Sequence, residues 1–446
     1  MSGRSGWARR LGLDRPAVRG WLLYDWANSA MYVVIVTAIF PIFFSSVAAD
    51  GMPKEQALYR FSLATTIGLA FIAVLAPILG AVADHSASKK RLLAGFMALG
   101  AAAVGAMALI HHGQWLFAAA LFVVANIGVN GSFVFYDALL PHVAHRDEMD
   151  QISTAGYALG YLGGGLFLAL CLALVMAPAR FGLPAGAGLT PDQASLPTRI
   201  AFVLTALWWI GFSIPLFRHV PEPPGRPLDA EEAQLGSVRA SFRRLAHTFR
   251  KLRSYRQAFL LLVAFLIYND GIGTIIRMAA IYGENIGIGR TAMIGSILLV
   301  QFVGVPFAYL FGWLAKRISA KRAIFLGLAV YVGISVLGYF MRNERDFLTL
   351  AVLVGMVQGG TQALSRSLFA SMIPKDMSGE FFGFFAVFEK FAGILGPALF
   401  SVAIALSGSS RAAILSVAVF FVVGAALLAL VDVAEGQRVA RDEEAG

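Results

Sequence analysis

Twelve times along its 446 residues this chain stays apolar for long enough to cross a bilayer. A hydrocarbon core about 30 Å thick needs about 18 or more consecutive apolar residues in helical form. The runs fall at roughly 20–47, 58–83, 92–110, 114–140, 153–177, 200–217, 257–283, 291–315, 322–341, 347–373, 379–406 and 411–431. Charged residues make up 14% of the chain, against about 25% in a soluble domain. In lipid the backbone must satisfy its own hydrogen bonds, so single runs of this length can only be helices. The predicted fold is an all-α membrane protein with twelve transmembrane helices.

The first run is too long for a signal peptide and no small-residue cleavage signal follows it, so it is expected to stay as an uncleaved span. With the amino terminus inside, the inward loops and termini hold 25 Lys/Arg and the outward loops 8, with three more inside spans. That asymmetry is the positive-inside pattern, so both termini are expected to be cytoplasmic. It also accounts for the net charge of +10 without a nucleic-acid partner. The single Cys171 excludes an internal disulfide and any multi-cysteine metal site.

The chain divides six spans to six, giving expected bundles over 1–217 and 257–446 and a cytoplasmic linker over 218–256. The linker opens with Pro221-Glu222-Pro223-Pro224 and turns basic from Ser237. There Val238, Phe242, Leu245, Phe249 and Leu252 recur at helical spacing among arginines, a pattern that suits a helix lying on the cytoplasmic lipid surface. The halves echo one another. Gly80 to Asp84, followed by Lys89-Lys90-Arg91, returns 232 residues later as Gly312 to Lys316, followed by Lys321-Arg322. Pro141 and Pro374 are offset by 233. Two parallel six-helix repeats around a central cavity fit this arrangement.

Ionisable residues are sorted among the spans. Spans three, six, nine and twelve carry none in their interiors, whereas one, four, seven, ten and eleven do. A charged side chain at a helix centre costs about 2.5–3.5 kcal/mol, so such residues face a bundle interior or a watery path. Asp25, Asn28, Ser29 and Tyr32 form a stripe on span one, and Asn126, Asn130 and Asp137 on span four. Asn269, Asp270, Thr274 and Arg277 do so on span seven, echoing the Tyr24-Asp25 start of the first stripe, and Gln358, Gln362 and Arg366 on span ten. Steps of three or four residues place each set on one helix face. Some of these amides will be interhelical glue, worth about 0.6 kcal/mol each.

Glu389 and Lys390 in span eleven are adjacent, about 100° apart on a helix, so each is expected to find its partner on another span. Gly156, Gly160 and Gly163 to Gly165 in span five, and Gly393 to Gly396 with Pro397 in span eleven, suit close helix contact. Pro41, Pro77, Pro306 and Pro397 are expected to bend their spans. His142 and His145 lie beside Asp147 and Glu148, but no third ligand follows at fixed spacing, so no metal is expected. Nucleotide-binding loops, nucleophile elbows and zinc helices are missing from the sequence, so no enzyme chemistry or cofactor is expected.

Gly80, Asp84, Lys90 and Arg91 resemble the signature between helices two and three of the major facilitator superfamily. The resemblance implies a cytoplasmic gate there. Its second copy puts Lys316 where the acid would stand and retains Arg322. Tyr24-Asp25-Trp26-Ala27-Asn28-Ser29, with Phe40-Pro41, resembles the branch of vacuolar amino-acid effluxers linked to autophagy and their bacterial relatives. That implies a secondary transporter with amino acids as the leading solutes. Short loops and an Ala/Gly/Arg-rich composition suggest a bacterial inner membrane; a monomer is expected, and the buried carboxylates make a proton the candidate coupling ion. Arg277 or Arg366 would hold a carboxylate; Asp25, Asp270 or Glu389 would take an amine or a proton. A lipid flippase or multidrug-type effluxer on the same fold is the alternative.

Overall fold

A computed structural model describes residues 14–225 and 255–445, apart from 187, 286, 393–394 and 408–409. The basic amphipathic segment foreseen from Ser237 lies almost wholly outside the described residues. The described residues are helical, with no strand among them. The fold is that of a multi-pass membrane protein with two six-helix repeats.

Eleven spans are continuous by length and apolarity: Pro16–Ala48, Glu55–Ser86, Lys89–Leu109, Trp115–Val143, Met149–Met176, Pro191–His219, Arg256–Arg277, Ala292–Ile318, Ala320–Phe340, Glu344–Ser371 and Arg411–Ala429. The place of the eleventh in chain order is taken by two helices, Ser378–Phe391 and Leu395–Ser407. The first of these ends at Phe391, because the ψ of 80° at Ala392 leaves helical space.

Local sequence sets several helix ends. Thr190 and Gln193 form a reciprocal capping box before the sixth span, and Asn343 accepts two backbone N–H groups at the start of the tenth. Span one is unusual. Its α-helix Pro16–Met31 gives way to a π-helical stretch over Tyr32–Ala38, a short α-helical piece and a second π-helical stretch over Phe44–Ala48. Pro41 explains the change, because it has no N–H to give Thr37 and its ring crowds that carbonyl. The turn widens instead, as in the Ile39 N–H to Val34 bond.

The repeat is legible in the structure. Lys90, after the second span, donates to the Phe217 and Val220 carbonyls at the end of the sixth. Lys321, after the eighth, donates to Ala429 and Val431 at the end of the twelfth. Each ammonium sits on the carbonyl end of its half's last span, where a helix favours positive charge. Ala87 and Ser319, 232 residues apart, are the two non-glycine residues of positive φ among the described residues. They turn the chain at the same end of the bundle, here termed the basic face.

Candidate functional site

Between the halves, Arg366 of span ten is the hub. Its side chain is 4% exposed. Nε donates to Ser153 Oγ and Nη2 to the Ser153 carbonyl, both at 3.0 Å, and Nη1 meets Asp137 Oδ1 at 2.9 Å. Asp25 Oδ2 is 3.8 Å from Nη1, and it accepts the Tyr136 hydroxyl at 3.1 Å. The rings of Trp21, Tyr136 and Tyr157 lie 4.8–5.6 Å from the guanidinium carbon. Gly156 and Gly160 are what admit the Asp25 carboxylate, since a Cβ at either would come within 3.0 Å of it. A guanidinium with two carboxylates, a backbone carbonyl and three rings around it has no open side for a solute. It ties spans one, four and five to span ten.

Arg277 is held differently. Its side chain is 43% exposed, and Nη2 approaches Asp270 Oδ1 only to 3.8 Å. Asp270 itself is fully buried. Its Oδ2 accepts the Gly396 N–H at 3.0 Å, at the amino-terminal end of Leu395–Ser407, where a helix attracts negative charge. A Cβ on Gly396 would fall 1.6 Å from Thr274 Oγ1, so only glycine lets the two helices come this close. Neither Asp270 Oδ1 nor Thr274 Oγ1 has a hydrogen-bond partner among the described residues. Tyr32, at the start of the π-helical stretch, is exposed and meets Phe133 of span four edge-on.

Glu389 and Lys390 correct the expectation of separate partners. Lys390 Nζ lies 3.2 Å from Glu389 Oε1. The helix ends one residue later at Phe391, and long side chains on its last turn can curl together where two rigid ones would diverge. Glu389 is 35% exposed and Lys390 11%.

The expected gate residues sit at the basic face. Asp84 accepts the N–H groups of Gly379 and Glu380, at 3.0 and 2.7 Å, at the start of the eleventh span. Lys89 completes it at 2.6 Å, with 1% of its side chain exposed. Gly80 makes the crossing possible: a Cβ there would sit 2.1 Å from the Gly379 carbonyl oxygen. Lys90 turns instead to the sixth span, and its own N–H is taken by Glu222 at 3.0 Å. Arg91, Lys316 and Arg322 are exposed, the last donating its backbone N–H to Ser319.

Further contacts join the halves at this face. Ser153 donates to the Ala363 carbonyl, Ser367 to Asp150, and His142 pairs with Ser378. Several stripe residues stay within their own half. Asn130 bonds Asn126, Gln362 bonds Asn269 at 3.2 Å, Gln358 is half-buried, and Asn28 is wholly buried without a hydrogen-bond partner among the described residues. Sequence reasoning passed over Ser153, Tyr136 and Tyr157, and it named Lys89 only as part of the repeated basic run. Asp137 stood on the span-four stripe and was the available signal. Among the described residues no group of three or more His, Cys, Asp or Glu could hold a metal.

Comparison with known proteins matches residues 53–441 to the family described as vacuole effluxer Atg22 like. The MFS-type transporter YxiO of Bacillus subtilis is 39% identical over 92% of this chain and 94% of its own length. Autophagy-related protein 22-1 of Phaeosphaeria nodorum is 24% identical over 86% of this chain and 77% of its own. Among solved structures, the major facilitator transporter FucP in the outward conformation superposes with a TM-score of 0.68 at 15% identity, over 94% and 98% of the two chains. The human organic anion transporter MFSD10 does so with 0.68 at 14%, over 93% and 99%. The chain belongs to the Atg22-like vacuole effluxer family and has the major facilitator fold.

Proposed function

We propose that this protein is a secondary active transporter of small zwitterionic solutes, amino acids foremost, working by alternating access and driven by a proton. Two half-bundles that rock about a central site fit the fold. The observation that carries the cargo is the contrast between the arginines: Arg366 is enclosed, whereas Arg277 is 43% exposed with its carboxylate partner out of hydrogen-bond range. A partly exposed guanidinium among helices can take a carboxylate through two parallel bonds. Glu389, the exposed member of its own pair, stands ready for an ammonium group.

The excess of Lys/Arg on one set of loops supports a cytoplasmic basic face in a bacterial inner membrane, with both termini inside. On that reading the contacts through Arg366, Asp84, Ser153 and Asp150 close the cytoplasmic side, and the conformation is outward-facing. Transport chemistry needs no covalent step, which agrees with a site built from ion pairs and hydrogen bonds.

Uptake by purified protein in proteoliposomes, tested across the twenty common amino acids with an inwardly directed proton gradient (acid outside) and at symmetric pH, decides this reading. Accumulation of one or more amino acids that depends on the pH gradient is the expected result. Transfer of labelled phospholipid between leaflets with no amino-acid movement would replace it with the flippase reading.

A further inference from the structure

The loose ion pair on span seven carries a consequence for energy coupling. Asp270 is fully buried. Its charge is held by the Gly396 N–H at 3.0 Å on Oδ2 and by the Arg277 guanidinium 3.8 Å from Oδ1. The first is backbone and cannot leave without moving the helix Leu395–Ser407. The second sits on a long side chain, 43% exposed, and can leave.

Among the described residues no other charge stands ready to replace it. Leu395–Ser407 and Ala418–Ala429, both packed on the seventh helix, contain no ionisable residue. Helix Glu344–Ser371 offers Gln362 to the neighbouring Asn269 and has Arg366 committed to the opposite half. Helix Ser378–Phe391 brings Glu389 and Lys390, paired with each other at 3.2 Å, and Glu380 at its basic-face end beside Asp84. The carboxy-terminal helix Val433–Ala445 meets the seventh near Gln257, at the end remote from Asp270.

We propose that Asp270 is the proton-binding site, and that Arg277 couples it to the solute by leaving Asp270 for the solute carboxylate. This rests on the reading that Arg277 binds a zwitterion. The step balances simply. The solute carboxylate takes the two guanidinium N–H bonds, and a proton from the open side goes onto Asp270 Oδ1, which has no hydrogen-bond partner among the described residues. Thr274 Oγ1, likewise unpartnered and buried beside it, can accept that O–H. An ionised carboxylate left in an apolar bundle without its cation is the more costly alternative. Solute and proton therefore bind together, and the sign is symport.

The test is calorimetric binding to purified full-length protein, using the amino acid that most raises its melting temperature among the twenty common ones. Titration in two buffers of different ionisation heat counts protons. The expected result for the unaltered protein is about one proton taken up per solute, with affinity rising about tenfold per unit fall in pH where Asp270 is ionised. Asp270→Asn should still bind the solute, without proton uptake and with flat pH dependence. Binding by the unaltered protein with no proton uptake overturns the coupling while leaving the zwitterion reading intact, and needs no variant to fold. Uptake that persists in Asp270→Asn moves the proton elsewhere. Replacement of the pH dependence by sodium dependence also overturns the proposal. Failure of every amino acid to bind removes both readings together.

Discussion

Arg366 and Arg277 belong to the same half of the molecule, each with a carboxylate close by, yet their surroundings differ in almost every respect. Arg366 meets Asp137 at 2.9 Å, has aromatic rings around it and crosses from one half to the other. Arg277 stays beside Asp270 on its own helix, at 3.8 Å, with nearly half its side chain open. A tight, enclosed pair resists change, because parting its members strands a buried charge. A loose, accessible pair can exchange its partner. The first arrangement suits a lock between halves and the second a site that binds.

The largest effect should come from breaking the lock. Arg366→Ala leaves Asp25 and Asp137 without their cation, a loss of about 3–5 kcal/mol for a buried pair. Uptake in proteoliposomes should vanish while the detergent-purified protein still runs as a folded monodisperse species. Normal uptake by that variant would remove the lock from the mechanism.

Next in size, Arg277→Ala should weaken solute binding about 10- to 100-fold, the worth of charge-assisted hydrogen bonds. Thermal-shift titration measures it, and an unchanged affinity would mean the solute is held elsewhere. Gly80→Val tests the basic-face crossing, where the added carbons meet the Gly379 carbonyl. Overpacking of about 1–3 kcal/mol should drive the face open. Cysteine placed at the buried Ala370, in a Cys171→Ser background, would then react with an impermeant maleimide from that face. No gain in reactivity would separate the crossing from the lock.

The smallest effect belongs to Glu444, which pairs with Arg146 at 2.7 Å across the halves and accepts the Lys375 N–H. Both side chains are more than a quarter exposed, so the pair is worth about 0–1 kcal/mol. Glu444→Gln should change the uptake rate less than about fivefold, and less still in high salt.

The architecture was legible in the sequence because apolar runs of transmembrane length admit only helices. The sorting of charges by span marked the residues that the halves bring together. Pair assignments were not legible. The Tyr24-to-Tyr268 echo pointed to Asp25 and Asp270 alike, but only the fold shows one beneath an enclosed arginine and the other on a helix amino terminus. Glu389 and Lys390 misled because helix geometry places side-chain roots, not the tips of long chains on a last turn. Lys90 looked like a gate charge, whereas it ends on carbonyls of its own half, as Lys321 does in the other. The π-helical turn at Tyr32 leaves no compositional trace beyond Pro41.

The contrast between the two arginines is tested most directly by amino-acid binding to Arg277→Lys and Arg366→Lys, measured beside the unaltered protein. Lysine keeps the charge and loses the planar fork. If Arg277 holds the solute and Arg366 only joins the halves, Arg277→Lys weakens binding by about tenfold or more and Arg366→Lys by less than about threefold. Weakened binding in Arg366→Lys with full affinity in Arg277→Lys would contradict the account.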